Sequence, residues 1–117
     1  MMEIRTDVKT DSPQEAIRAL FAEWEKLPRI PSHWQIVAVM DEERDRYALF
    51  DINFENGGHK ASLMVYLEIR DGKIWIINNN MEQSIADGLT AAGIPNNRIV
   101  LAMHPPDLRE MGDYAVA

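Results

Sequence analysis

Three histidines, His33, His59 and His104, carry the side chains of this sequence best suited to proton transfer or metal ligation. No two share a spacing that one helix or turn would bring together, whereas a zinc site needs three or four converging ligands. The sequence contains no cysteine, which excludes thiolate ligands, thiol nucleophiles and disulfides. No metal and no cofactor are therefore expected. His104 stands immediately before Pro105-Pro106, where extended backbone sets its direction, and its simplest role is to cap a local hydrogen-bond network. A carboxylate pair is the other source of chemistry. Asp51 and Glu68 fall on neighbouring strands and would share a face, so a pocket that shifted one pKa would let them do acid–base work, with His104 completing a small hydrolase. Several signatures speak against an enzyme. Nuclease-like sites add a lysine one residue from such an acid, and no Glu-X-Lys occurs in the strands concerned. Gly57-Gly58 lacks the further glycines and the lysine of a phosphate loop. Ser12, Ser32, Ser62 and Ser84 have no nucleophile-elbow context. The residues argue for a binding module with no catalytic residue.

The elements that must position these groups can be read from periodicity. Residues 1–11 are polar and read as a loose lead-in. Ser12-Pro13-Gln14-Glu15 is a helix start, with Ser at the cap, Pro at the first helical position and Glu three residues beyond the cap. Ile17, Leu20, Phe21, Trp24 and Leu27 then form one apolar stripe, Trp24 as a core residue, until Pro28 ends the helix and Pro31 keeps the link extended. From Trp34 onward the pattern alternates. Gln35–Met40, Arg46–Phe54, Lys60–Ile69 and Lys73–Asn78 read as four antiparallel strands. Asp71-Gly72 is the hairpin signal of a type I′ turn, and Asn56-Gly57-Gly58-His59 marks the turn before it. Met81–Ala92 reads as a second helix capped by Asn80, with Gln83 three residues on and Gly93 and Pro95 at its exit. Ile99–Met103 is a short last strand, and Tyr114, Ala115 and Val116 are unusually apolar for a free end. The fold class is α+β: a helix, a four-stranded antiparallel meander, a second helix and a short C-terminal strand, in one domain over residues 1–117.

If Gly57-Gly58 is a two-residue turn, Phe50, Ile52, Phe54, Leu63, Val65, Leu67, Ile69, Ile74 and Ile76 share the core face. Tyr47, Leu49, Tyr66, Trp75 and Ile77 then lie together on the opposite face beside Asp51 and Glu68, with Tyr66 opposite Ile77. A solvated sheet face is mainly polar. Those five side chains are therefore the candidate interface, for a second copy of the chain or for another protein, unless one of the helices folds back over them.

The 12 Lys and Arg against 19 Asp and Glu give a net charge of −7. No stretch gathers positive charge without acidic neighbours, and proteins that grip duplex DNA by themselves need a basic face to displace counterions. Direct high-affinity DNA binding is not expected. No apolar run approaches a membrane span, and the first residues lack a signal-peptide layout, so a cytoplasmic address and no membrane partner are expected.

The second half of the chain resembles one family in a series of ordered stretches. They are Asp41 to Tyr47, Asp71-Gly72-Lys73-Ile74-Trp75-Ile76, Ile85 to Pro95, Ile99-Val100-Leu101, His104-Pro105-Pro106 and the Ala-Val-Ala end. This order is similar to that of the XisI proteins, named as controlling factors for excision of the fdxN element. The similarity runs from about residue 11 to residue 117 and is strongest from Asp41 onward. It departs at Asn53-Phe54, where the family tends to have Gly-Trp, at Asn79–Glu82, where it has Asp-Gly-Thr-Glu, and at Tyr66, where it has histidine. No catalytic role is carried over, and Asp71, Gly72, Lys73, Trp75, His104, Pro105 and Pro106 are motif positions without an assigned role. The resemblance implies an accessory factor acting with XisH, a nuclease-fold partner, in site-specific recombination. An immunity-type protein that restrains such a nuclease is the alternative it leaves open.

Overall fold

The computed structural model describes residues 4–27 and 33–117. Helix α1 (Pro13–Glu25) is followed by strands β1 (Trp34–Asp41), β2 (Arg46–Asn53), β3 (Lys60–Arg70) and β4 (Lys73–Asn79). Helix α2 (Ile85–Ala92), strand β5 (Ile99–Leu101) and the short helix α3 (Pro106–Glu110) complete the chain, with single 3-10 turns at Glu55–Gly57 and Asn96–Arg98. The strands form one five-stranded sheet in sequence order, antiparallel from β1 to β4, with β5 parallel to β4. The α+β assignment and the meander are as the sequence predicts. The parallel pairing follows from α2, which crosses between β4 and β5 as parallel neighbours require.

Helix α1 starts where its residues dictate. The Ser12 hydroxyl accepts from the Glu15 N–H, while Glu15 turns its carboxylate to the Thr10 hydroxyl at 2.8 Å. Its last helical residue is Glu25, and the predicted roles of Pro28 and Pro31 lie outside the described residues. Ala16, Ile17, Leu20, Phe21 and Trp24 face the sheet. Each large side chain buried there contributes about 1.5–3 kcal/mol by leaving water. Ile85, Ala86, Leu89 and Ala92 of α2 join the same core. Gly88 belongs to that packing too, because a Cβ at this position would lie 2.8 Å from Leu20.

Two local expectations are corrected. The second helix begins at Ile85, with Ser84 at its cap, rather than at Met81. Asn79 holds residues 81–84 off the helix: its Nδ2 donates to the Met81 carbonyl at 3.1 Å, and its Oδ1 accepts the Ile85 N–H at 2.8 Å. Nor are residues 4–11 loose. Ile4 and Thr6 are buried, Gln83 exchanges two 2.8 Å hydrogen bonds with the backbone of Ile4, and the Thr10 N–H donates to the Ala92 carbonyl. The strap this forms ties the lead-in to α2.

The register of β2 against β3 is the main correction. Asn53 pairs with Lys60, so the connection is a longer loop through the 3-10 turn and not a two-residue Gly57-Gly58 turn. A bulge between Leu49 and Phe50 then leaves Leu49 opposite Val65 and Tyr47 opposite Leu67. A shift of one residue moves side chains to the other face of a sheet. Tyr47 and Leu49 are accordingly fully buried under the helices, with Val65, Leu67, Ile74, Ile76 and Ile99. Phe50, Ile52 and Leu63 are half-buried and lie outside this core. A second bulge, between Tyr66 and Leu67, sets Tyr66 opposite Asn78 and leaves Ile77 as the extra residue. The Asp71-Gly72 turn has the predicted geometry, with φ of 51° and 76°.

Candidate functional site

With both long helices on one side, the other side of the sheet is defined by register. It carries Gln35, Val37, Val39 and Asp41 of β1, Arg46, Ala48, Phe50 and Ile52 of β2, Leu63, Tyr66, Glu68 and Arg70 of β3, and Lys73 and Trp75 of β4. Tyr66 and Trp75 stand on this outer face as predicted, whereas Tyr47 and Leu49 are removed from it by the bulge. Near β1 the face is apolar, and Val39 is 54 % exposed. Val37, Phe50, Ile52, Leu63 and Tyr66 are half-buried on this face.

Toward β4 the face becomes charged and closed. The Tyr66 hydroxyl donates to Glu68 at 2.6 Å, and Arg70 donates through both Nε and Nη2 to the other Glu68 oxygen. The hydrogen bond from Tyr66, then that from Arg70, hold the Glu68 carboxyl below its ordinary range, while burial and the same carboxylate push the Tyr66 hydroxyl up. The guanidinium of Arg70 lies 4.9 Å from the Trp75 ring, and that of Arg109 lies 5.7 Å from it, so the indole holds two cations.

Arg109 anchors the end of the chain over this region. Its Nε donates to the His104 carbonyl at 2.9 Å and its Nη1 to the Val116 carbonyl at 2.8 Å. Ala115 bridges Val100, which is fully buried, and Lys73 reaches the Ala117 carbonyl. The motif positions Lys73, Trp75, His104, Pro105 and Pro106, spread through the second half of the sequence, thus converge on one clasp. Pro105 and Pro106 start α3, the helix that carries Arg109. The apolar Tyr114-Ala115-Val116 end is the sequence signal for it. Neither α1 nor α2 is the cover. The Arg109 contact could not be foreseen, because nothing local distinguishes that arginine.

The candidate chemical groups do not assemble. His33 lies 3.5 Å from Glu55, His59 stacks on Phe54 with ring centres 5.5 Å apart, and exposed His104 borders a cavity of about 360 Å³ with Leu101, Leu108, Arg109, Met111 and Tyr114. Asp51 pairs with Ile36 on the helix side and borders a different cavity with Trp24, Trp34 and Met64. Glu68 is on the outer side, so the two carboxylates proposed as a pair sit on opposite faces of the sheet. Among the described residues, no group of three or more His, Asp or Glu could hold a metal ion. Tyr47 is a core residue whose hydroxyl donates to Asp45, and burial raises its pKa to about 12. Two acids of the turn between β1 and β2 are ion-paired, Glu42 with Arg18 of α1 and Asp41 with Arg44. No helix among the described residues is long and apolar enough to cross a membrane.

The distinguishing site of this α+β domain is thus a sheet face, half open and apolar and half clasped by the C-terminal segment. The chain belongs to the XisI family, whose model, described as XisI protein, matches residues 8–116. Two crystal structures from Anabaena variabilis ATCC 29413 have the same fold. A XisI-like protein superposes with a TM-score of 0.77 at 26 % identity, over 89 % of this chain and 95 % of that one. The fdxN element excision controlling factor XisI does so with a TM-score of 0.65 at 28 % identity, over 91 % of this chain and 93 % of that one. No curated protein matches the chain.

Proposed function

We propose that this protein is a non-enzymatic controlling factor for excision of a DNA element by site-specific recombination, working in the cytoplasm through contact with an XisH-like nuclease-fold partner. Family membership and the name of the similar excision factor support the general role. The observation that carries the mode of action is the partly exposed apolar half of the outer face, Val37, Val39, Phe50, Ile52, Leu63 and Tyr66. Uncovered apolar surface rimmed by charge is where soluble proteins meet partners. The net charge of −7 favours a protein partner over DNA as the primary contact.

The test is co-purification with an XisH-like protein, followed by DNA cleavage with and without this chain. A stable complex in which the nuclease stays active supports the reading. A complex that silences the nuclease makes the protein an immunity-type inhibitor instead, and absence of a complex overturns the partner assignment. Turnover by this chain alone would make it an enzyme.

A further inference from the structure

The sheet has two edges, and they are treated differently. The β5 edge is closed by the Val100–Ala115 bridge, with the Ala115 N–H donating to the Ile99 carbonyl at 2.9 Å. On β1, the Ala38 N–H donates to the Glu25 carboxylate of α1 at 2.9 Å. That bond shows which way the strand faces. Ala38 points its backbone away from β2, and the alternation of an antiparallel pair puts Trp34, Ile36 and Met40 on the same free edge. β1, with the sequence Trp-Gln-Ile-Val-Ala-Val-Met-Asp, contains no proline, glycine or lysine, the residues that usually blunt an exposed edge. Glu25 is the charged side chain that occupies the outward-facing Ala38 N–H.

We infer that β1 is a self-pairing edge, through which two copies of this chain join their sheets antiparallel about a two-fold axis at Val37. This register is selected by two features. It is the alignment that places all four outward-facing residues in hydrogen-bonded pairs within the strand, Ile36 against Ala38 and Trp34 against Met40 of the second copy. It also sets Gln35 against Val39 and His33 against Asp41 of the second copy, so the axis meets with valine on valine. Sliding the strands two residues either way loses the His33–Asp41 match or carries an outward-facing residue beyond the strand. Pairing displaces Glu25 from Ala38, so this carboxylate competes with the second copy for the same donor. The apolar half of the outer face, which ends at β1, becomes continuous across the axis from Phe50 to Phe50 of the second copy. The inference is independent of any XisH-like partner.

Sedimentation velocity of the full chain over a dilution series tests it, with circular dichroism as the check on folding. The wild-type chain is expected to form a reversible dimer, and Glu25→Ala to tighten it by removing the competitor. Ala38→Pro deletes an N–H that β2 does not use, so the variant should fold and weaken association by about tenfold or more, the size of one or two lost strand hydrogen bonds. Should proline disturb the strand, Val37→Lys reads the same contact by placing two cations face to face at the axis. Wild-type and Glu25→Ala chains that both stay monomeric overturn the inference. So does a dimer that survives Ala38→Pro or Val37→Lys unchanged.

Discussion

Gly93 closes α2 with φ of 118° and ψ of 1°, and replacing it with alanine should be among the most damaging small substitutions in the chain. A Cβ there would lie 2.6 Å from the Thr10 carbonyl oxygen and 3.2 Å from the Thr10 nitrogen. The obstacle is backbone, so no side chain can swing aside. The chain must either move the strap or twist the helix end. Left-handed backbone costs an alanine roughly 1–2 kcal/mol. Moving Thr10 breaks its bond to the Ala92 carbonyl, worth about 0.5–1.5 kcal/mol net. If the strap lifts as a unit, buried Ile4 returns to water at about 1.5–3 kcal/mol. The expected destabilisation is therefore about 3–6 kcal/mol. Gly72→Ala is the internal control, because Gly72 has φ of 76° and nothing within 4 Å of a Cβ, leaving strain of about 1–2 kcal/mol alone. Urea unfolding followed by circular dichroism gives both values, and limited proteolysis of residues 4–11 reports whether the strap has left. Equal losses in the two variants would refute the reasoning, for then the helix end and not the strap makes Gly93 necessary.

Other perturbations separate the remaining roles. Gly72→Val should cost about 1–3 kcal/mol through strain at positive φ, and an unchanged melting temperature would show that the hairpin tolerates another turn. The Glu68 carboxyl is held below its ordinary value of 4.5 by Tyr66 and Arg70, so the stability it lends is present above that pH and fades as pH falls through the lower folded-state value; Glu68→Gln should flatten the acid limb of a urea-midpoint profile below that pH. The isolated protein should bind duplex DNA weakly and without sequence preference at physiological salt, read by fluorescence anisotropy, and a nanomolar complex would contradict this. Tyr66→Ser should stay folded and lose partner binding. Trp75→Ser should release the C-terminal clasp, with a loss of about 2 kcal/mol in binding if the indole also anchors a partner. Unfolding of the Tyr66 variant would show that side chain to be structural.

Much of the fold was legible because local chemistry fixes it. Ser12-Pro13 opens a helix, Asp71-Gly72 takes positive φ at both residues, and Gly93 ends a helix, each without help from distant residues. What misled was register. Face assignment depends on parity, and the bulges at Met64 and Ile77 each change parity by one without leaving a mark in residue type. The bulge at Met64 is why Tyr47 and Leu49 read as interface residues and lie in the core, and why Asp51 and Glu68 read as a pair and lie on opposite faces, whereas that at Ile77 removes Ile77 from its place opposite Tyr66. The strap was missed for a related reason. Ile4 and Thr6 are buried between exposed Arg5 and Asp7, but so short an alternation in a polar stretch looks like noise. Asn79 likewise delays α2 with side-chain hydrogen bonds that reach across a bend, where local propensity alone supports an earlier start.

The outer face also shows how an acidic chain comes to carry a local cationic site. Arg46, Arg70 and Lys73 are dispersed in sequence among acids, and Arg109 is far from all three. Strand pairing places Arg46 opposite Glu68 and Arg70 opposite Lys73, and the C-terminal segment brings Arg109 to the same Trp75 ring. Most of that charge is already engaged: Arg70 with Glu68, Lys73 with the Ala117 carbonyl, and Arg109 with two backbone carbonyls. Guanidinium groups that must break such bonds to reach phosphates make poor counterion-releasing contacts, and four cations fall short of the six to ten of a tight duplex binder. Their effect is instead to close the sheet at one end. Helices occupy the inner face and the tail occupies the β4–β5 corner, and among the described residues Val39 beside β1 stays exposed next to half-buried Val37 and Phe50.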